Sequence, residues 1–395
     1  MKILFLTPQL PYPPISGGVI KSFKLVELLT REYQLTLACL LKSAEDENNL
    51  AEFNDTALLG NAVTYPLNIP RTPMNFAKSC MAGLPLTIYR NKSREFAATI
   101  AAMAVDFELI FVDHYLMYQY IPDDYQGRVV VHQHNAEFVI WQRMAVQTRN
   151  PIKKALLYFE ASRIRRYEVA MCSRVHRVLA APNDQQALAD AGSPNHHFLD
   201  TYHLGDEENL SLPAIDYQHT QMKLLFIGTL TWEANVDGLL WFLRDSWPLI
   251  KQACPEASFT VVGKHSEALA KQLLQLAPEI DLLGFVDDLE VLYQTHRVFV
   301  APLRFGSGIK VKVVNGLYRG IPTVTTNVGA EGMRVQSGEH LMVADSANDF
   351  AQGVITLLRH EADWQRLSVQ SRQHMREHYS WDVVFKNVRR SLQDD

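Results

Sequence analysis

The stretch from Ala301 to Met333 holds the residues whose types and spacing best suit them for chemistry. An apolar strand ends at Pro302, and a turn follows at Gly306, Ser307 and Gly308. A helix comes next, with Arg304, Lys310 and Lys312 around its start. A second strand, 322–326, then runs into another glycine loop at Gly329 and Gly332. Glycine permits close backbone approach, and a helix N-terminus offers unpaired N–H groups and partial positive charge. With cations beside it, such a turn suits phosphate, above all the diphosphate of a nucleotide. Two further groups sit in the first half. Asp113-His114 and His132-Gln133-His134-Asn135 each end an apolar run, and the loop from Thr7 to Phe23 is stiffened by Pro11, Pro13 and Pro14 before Gly17 and Gly18. In open parallel sheets, ligands bind beyond the C-terminal ends of the strands, where these residues fall.

The pieces GSGIK, RGIPTVTT and GAEGM occur in an order that resembles the donor-binding region of retaining glycosyltransferases of family 4. The first loop resembles that family's P-x-x-G-G, and VVVHQHNAE is similar to its strand ending in a histidine that faces the donor sugar, with His134 the best match. The resemblance implies a GT-B fold, meaning two doubly wound αβ domains facing a central cleft, with a C-terminal helix crossing back to the first. It also implies transfer of a sugar from a nucleotide-diphosphate sugar to a saccharide or lipid-linked acceptor, with retention, in polysaccharide or glycolipid biosynthesis. His134, Arg304 and Lys310 take the catalytic places. Gly17, Gly18, Gly228, Gly306, Ser307, Gly308, Asn315, Thr326, Gly329, Ala330, Glu331 and Gly332 take the donor-binding ones. No cofactor and no metal ion are expected, the nucleotide sugar being a substrate.

Two departures from the family pattern stand out. After the first strand of the second half, FIGTLTWEANVDG has Trp232, Glu233 and Asn235 where the family often has a cationic turn, so Arg304 and Lys310 are expected to hold the diphosphate instead. A paired Glu-x7-Glu is replaced by Ser307 and Asn315. The Asn315 amide oxygen can still accept from a ribose hydroxyl. The loss of both glutamates keeps other readings open: a non-catalytic nucleotide-sugar or glycan-binding subunit, an inverting GT-B enzyme, or a nucleotide-sugar epimerase.

The elements that must position these residues are short apolar runs alternating with longer helical patterns, as in parallel αβ layers. Strands are expected over 3–7, 35–41, 62–66, 109–112, 129–132, 175–180 and 197–204, and in the second half over 223–228, 258–262, 280–283, 298–301, 323–325 and 340–343. A helical stretch covers about 136–174. The expected division is 1–205 as a first, acceptor-binding domain, a linker over 206–221, a donor domain over 222–380, and a helix over 381–395 returning to the first domain.

Composition narrows the class. A chain of 395 residues has room for two domains, and 47% hydrophobic with 21% charged residues is ordinary for a globular enzyme. A net charge of −5 argues against general nucleic-acid binding. Cys39, Cys80, Cys172 and Cys254 are scattered without metal-ligand spacing and read as reduced thiols. MKILFL is expected as a buried strand, not a signal segment. No apolar run is long enough for a membrane span, so a cytoplasmic protein is expected. Between Arg143 and Arg177, nine Lys or Arg residues face only Glu160 and Glu168. This amphipathic stretch offers a surface for an anionic membrane, and hence a peripheral place on its inner face.

Overall fold

The computed structural model describes residues 1–14, 17–56, 62–148, 150–194, 197–202, 204–306 and 308–393. Ser307, expected in the donor site, lies outside the described residues. The chain divides into two compact units, one of Met1–His203 with Val384–Asp395 and one of Leu204–Val383.

The first unit is built on seven parallel strands: β1 (Lys2–Thr7), β2 (Gln34–Leu41), β3 (Ala62–Pro66), β4 (Leu109–Asp113), β5 (Arg128–His132), β6 (Arg177–Ala180) and β7 (Phe198–Asp200). Their order is β3-β2-β1-β4-β5-β6-β7. Strands covered by helices on both faces need continuous apolar runs, not alternation, and Ile3–Leu6 and Leu109–Val112 are fully buried. β1 and β4 pair in register from Ile3↔Leu109 to Leu6↔Val112, which stacks Phe5 on Phe111 with ring centroids 5.1 Å apart. Because β1 is flanked by β2 on one side and β4 on the other, the chain reverses direction across the sheet there, and a crevice opens beyond the ends of β1 and β4.

The second unit repeats the plan with β8 (Gln221–Ile227), β9 (Ser258–Val262), β10 (Asp281–Leu283), β11 (His296–Ala301), β12 (Thr323–Thr325) and β13 (Met342–Val343), ordered β10-β9-β8-β11-β12-β13. Its reversal falls between β8 and β11. The core on one face is aromatic: Phe242 lies between Phe259, at 5.1 Å, and Phe350, at 5.7 Å.

Two expectations are corrected. The long helical stretch over 136–174 is two helices, Glu137–Gln147 and Pro151–Cys172. Asn150 starts the second helix, its Oδ1 accepting the Lys153 N–H as an N-cap, and the Pro151 that follows fits a first helical position but not a helix interior. The stretch 206–221, expected as a linker, is packed into the second unit. Arg372 donates to the Leu210 and Leu212 carbonyls, and Arg319 to the Pro213 carbonyl. The last helix, Trp381–Ser391, spans the division, and its later part belongs to the first unit. There Asn387 donates to Asp200 O at 2.9 Å and Arg389 pairs with Glu32.

Candidate active site

In the first unit the site grows from the ends of β1, β4 and β5. Asp113 closes β4 and is fully buried. Its Oδ1 accepts from His132 Nδ1 at 2.6 Å and from His134 Nε2 at 2.8 Å. Its Oδ2 accepts from Thr7 Oγ1 at 3.1 Å and from Ser22 Oγ at 2.5 Å. Burial alone would raise the Asp113 carboxyl, but His134 and His132 outweigh it and hold the group well below the usual carboxylate range. His132, fully buried, is held neutral by desolvation and by Lys21 and His134 nearby. An ionised Asp113 is an acceptor only, so both rings present N–H to it, and this leaves His134 Nδ1 facing Gly18. A Cβ on Gly18 would lie 3.4 Å from that nitrogen. Gly17 and Gly18 open the helix Gly17–Thr30, which also supplies Ser22 and Lys21. Lys21 is 1% exposed, its Nζ has no hydrogen-bond partner among the described residues, and burial lowers its pKa from 10.5 to about 7.

Asp113, His132 and His134 bring together donor types that a metal ion uses. Both Asp113 oxygens already accept from protein donors at hydrogen-bond length, which joins the three side chains, with Thr7 and Ser22, in one hydrogen-bonded network. His114 follows with φ 89°, a strained conformation for a residue with a Cβ. Its N–H bonds His132 O at 2.9 Å, and its ring lies 5.0 Å from that of His134. Asp113, His114, Gly18 and His134 line one end of a cleft of about 520 Å³.

In the second unit the crevice at the ends of β8 and β11 gathers most of the expected donor-binding residues. Gly228 follows β8. A Cβ there would lie 2.6 Å from Lys312 Nζ and 2.9 Å from Asn235 Nδ2, so only glycine lets that ammonium rest against the strand end. Lys312 donates to Asn235 Oδ1 and sits over the Phe226 ring at 4.7 Å and near the Trp232 ring at 6.0 Å. Desolvation, with Lys310 close by, lowers its pKa from 10.5 to about 7. Lys310 is 4% exposed, donates to Gly308 O and lies 3.7 Å from a Glu331 oxygen. Gly306 (φ 139°) and Gly308 (φ 69°) take backbone conformations that L side chains rarely adopt, which shapes the turn before the helix Val311–Arg319. Thr326 accepts the Gly329 N–H at 3.1 Å and caps the short helix Asn327–Ala330, after which come Glu331 and Gly332.

Two residues expected in the donor site already have protein partners. Arg304 forms a two-pronged pair with Asp237, at 2.8 and 2.6 Å, so its charge is already neutralised. Sequence reading missed Asp237, one turn into the helix that follows Trp232. The Asn315 amide oxygen, expected to accept from a ribose, accepts the Asp206 N–H at 2.8 Å. It packs on Gly205, where a Cβ would lie 1.8 Å away. Lys312 was visible beside Lys310 in the sequence but not separable from a surface lysine. The signal is Gly228 and Asn235, which only the fold brings to it.

Residues 221–360 match the model of the family described as Glycosyl transferases group 1. Over nearly the whole of both chains, the sequence is 20% identical to an uncharacterized 44.6 kDa protein of the cps region of Klebsiella pneumoniae, with 98% of each covered. Among solved structures it is similar to HepE of Anabaena in complex with UDP and glucose, with a TM-score of 0.65, 13% identity and 99% of each chain covered. It is also similar to sucrose-phosphate synthase of Thermosynechococcus elongatus, with a TM-score of 0.67, 15% identity and the same coverage. The two units have the GT-B fold of such enzymes.

Proposed function

We propose, for a GT-B chain that carries a Glycosyl transferases group 1 domain over residues 221–360, the transfer of a sugar from a nucleotide-diphosphate donor to a saccharide or lipid-linked acceptor, with retention. The observation that carries this is the pair Lys310 and Lys312 at the β8–β11 crevice, one held by Gly308 O and the other set against Gly228. Two enclosed ammonium groups side by side at a strand-end crevice suit a diphosphate. The UDP-bound neighbour and the cps-region relative favour a nucleotide sugar and a polysaccharide pathway.

In this reading the bond from the donor C1 to the diphosphate oxygen breaks as the acceptor oxygen attacks C1 on the same face. The acceptor proton passes to the departing diphosphate oxygen, so no separate base is needed. Lys310, Lys312 and the N–H groups at the start of the helix Val311–Arg319 stabilise the charge gathering on the leaving group. They supply the positive charge that a metal ion provides in other enzymes, so the reading is metal-independent. His134, held through Nε2 by Asp113, presents its other edge toward the first-unit cleft. Incubation with UDP-, GDP-, ADP- and TDP-sugars, with and without glycolipid extract, tests this. Release of one nucleotide, increased by extract, supports transfer. Saturable binding without release would replace it with a binding subunit, which the neutral Asn315 favours.

A peripheral place on the cytoplasmic face of a membrane belongs to the same proposal. Glu160 and Glu168, the two acids of the basic stretch, both turn inward: Glu168 accepts from the Glu137 and Phe138 N–H groups, and Glu160 pairs with Arg163. The outer face of the helix Pro151–Cys172 is thus left to Lys153, Lys154, Arg165 and Arg166, with Ile152, Leu156 and Phe159 exposed. Among the described residues no helix is long and apolar enough to cross a membrane. Cosedimentation with vesicles containing phosphatidylglycerol, lost on Lys153→Glu with Lys154→Glu, is the expected result. Equal binding to neutral vesicles would refute it.

A further inference from the structure

We propose that the first-unit cleft takes an acceptor that carries an anionic group, a carboxylate or phosphate on a saccharide, seated on Lys42 and Arg90. The inference rests on reading the chain as a glycosyltransferase and names the chemical class of its acceptor.

The cleft of about 520 Å³ runs along the C-terminal edge of the sheet. At one end are Asp113, His114 and His134, beyond β1, β4 and β5. At the other, beyond β2 and β3, are Lys42, Asn68, Arg90 and Asn91. Lys42 directly follows β2, and its Nζ donates to Asn91 Oδ1 at 2.5 Å. Asn91 is itself fixed, its Nδ2 donating to Thr87 O at 2.8 Å, so the ammonium is held in place by a neutral acceptor. Arg90 uses Nε on the Ile69 carbonyl at 2.6 Å, which turns its fork without consuming it.

Neither cation meets a carboxylate at ion-pair distance among the described residues. Asp46, whose charge acts on Lys42, spends its Oδ2 on the Lys42 and Ser43 backbone N–H groups. Among the described residues Asp113 is the one carboxylate lining the cleft, and four protein donors saturate it. The cations also repel one another. Burial and Arg90 lower Lys42 from 10.5 to about 8, and burial and Arg71 lower Arg90. Positive charges concentrated in a cleft wall without counter-charge cost free energy that an anionic ligand returns. A neutral sugar would leave that cost in place. The cationic end and the His134 end share one cleft, so an acceptor seated by its anion can lay a hydroxyl toward the histidine.

The test uses the full chain with UDP at saturation, which occupies the second-unit lysines and keeps small anions from them. Binding of methyl glucuronide, glucose 1-phosphate and methyl glucoside is compared by ligand-observed NMR and calorimetry at low salt. The anionic sugars should bind about tenfold or more tightly than methyl glucoside. The excess should fall in Lys42→Met, in Arg90→Gln and with added salt. Preference for the glucuronide assigns a uronic acid, and preference for the phosphate a phosphorylated or phosphate-linked sugar. Equal binding of all three, or a preference that survives in both folded variants, overturns the proposal. Should Lys42→Met fail to fold, Arg90→Gln alone decides. UDP binding in the same samples separates this from the functional reading: UDP bound with no anionic preference removes only the inference, whereas absent UDP binding removes the reading beneath it.

Discussion

Replacing Lys312 with methionine separates the diphosphate role of this lysine from its packing. The unbranched methionine side chain can follow the lysine stem past the Phe226 ring and Gly228, and it loses only the ammonium. A hydrogen bond from an ammonium to a phosphate oxygen contributes about 1.5–3 kcal/mol. Loss of that bond should weaken binding of the tightest nucleoside diphosphate, among UDP, GDP, ADP and TDP, by about 10- to 150-fold near pH 7. The pH dependence is the sharper signature. Burial lowers Lys312 from 10.5 to about 7 in the unliganded protein, and a bound diphosphate restores its preference for the proton. Binding therefore takes up a proton above pH 7, and affinity should fall as pH rises from 7 toward 9. The limit is tenfold per unit, or about 1.4 kcal/mol each. Calorimetry across that range, in buffers of different ionisation enthalpy, reads both the affinity and the proton uptake. A Lys312→Met affinity within twofold of the parent, or a parent profile flat from pH 7 to 9, would refute the assignment.

Asp237→Asn should release Arg304, since their exposed two-pronged pair contributes only about 0.2–1 kcal/mol to stability. Nucleotide affinity should rise several-fold and fall back in the double variant with Arg304→Gln, and unchanged calorimetric affinity in both would remove Arg304 from the donor site. Lys21→Met should raise stability by a few kcal/mol near pH 6, because replacing a buried, poorly partnered charge with a hydrophobe is often stabilising. The sign follows from its depressed pKa. The unfolded chain holds the Lys21 proton up to about 10.5 and the folded chain only to about 7, so the cost is full below pH 7 and relieved between about 7 and 10.5. Urea titrations at pH 6 and pH 10 should therefore show the gain shrinking at the higher pH, and an equal gain at both would contradict it. Gly205→Ala should destabilise by about 1–3 kcal/mol, because its Cβ would enter Asn315 Oδ1; an unchanged melting temperature would show that this contact is dispensable.

The alternating apolar runs placed every strand of both sheets to within a few residues, because strands buried on both faces leave continuous hydrophobic blocks bounded by polar turns. The break at Asn150–Pro151 was written in the sequence as a cap followed by proline, yet the helical periodicity on both sides hid it. In the donor crevice, glycine spacing was legible since a positive φ leaves a mark on residue type: Gly306, Gly308 and Gly332 all have it. Pairings between distant residues left no such mark. Arg304 with Asp237, Asn315 with Asp206, and Asp113 with Thr7, Ser22, His132 and His134 join positions from 19 to 109 residues apart. Nothing in local sequence distinguishes an arginine that meets a phosphate from one that meets an aspartate.

This limit explains why the cations were ranked differently by sequence and by structure. Sequence favours Arg304, since a guanidinium suits a diphosphate by shape. Charge that the protein has not already neutralised is freer to attract a ligand, and by that measure Lys312 is better placed than Arg304. Arg304 shares its charge with Asp237, whereas Lys312 rests on an amide oxygen and an aromatic ring and carries its desolvation cost unrelieved. The same reasoning selects Lys42, also set against an asparagine oxygen, over the first unit's Arg163, which pairs with Glu160. In each unit, then, the cation suited to an anion lies near a strand end at the crevice edge of the sheet, is enclosed enough to lose part of its hydration, and is held by a neutral acceptor. A lysine in that state is poised to gain more from an incoming phosphate or carboxylate than an exposed one, whose water must first be displaced.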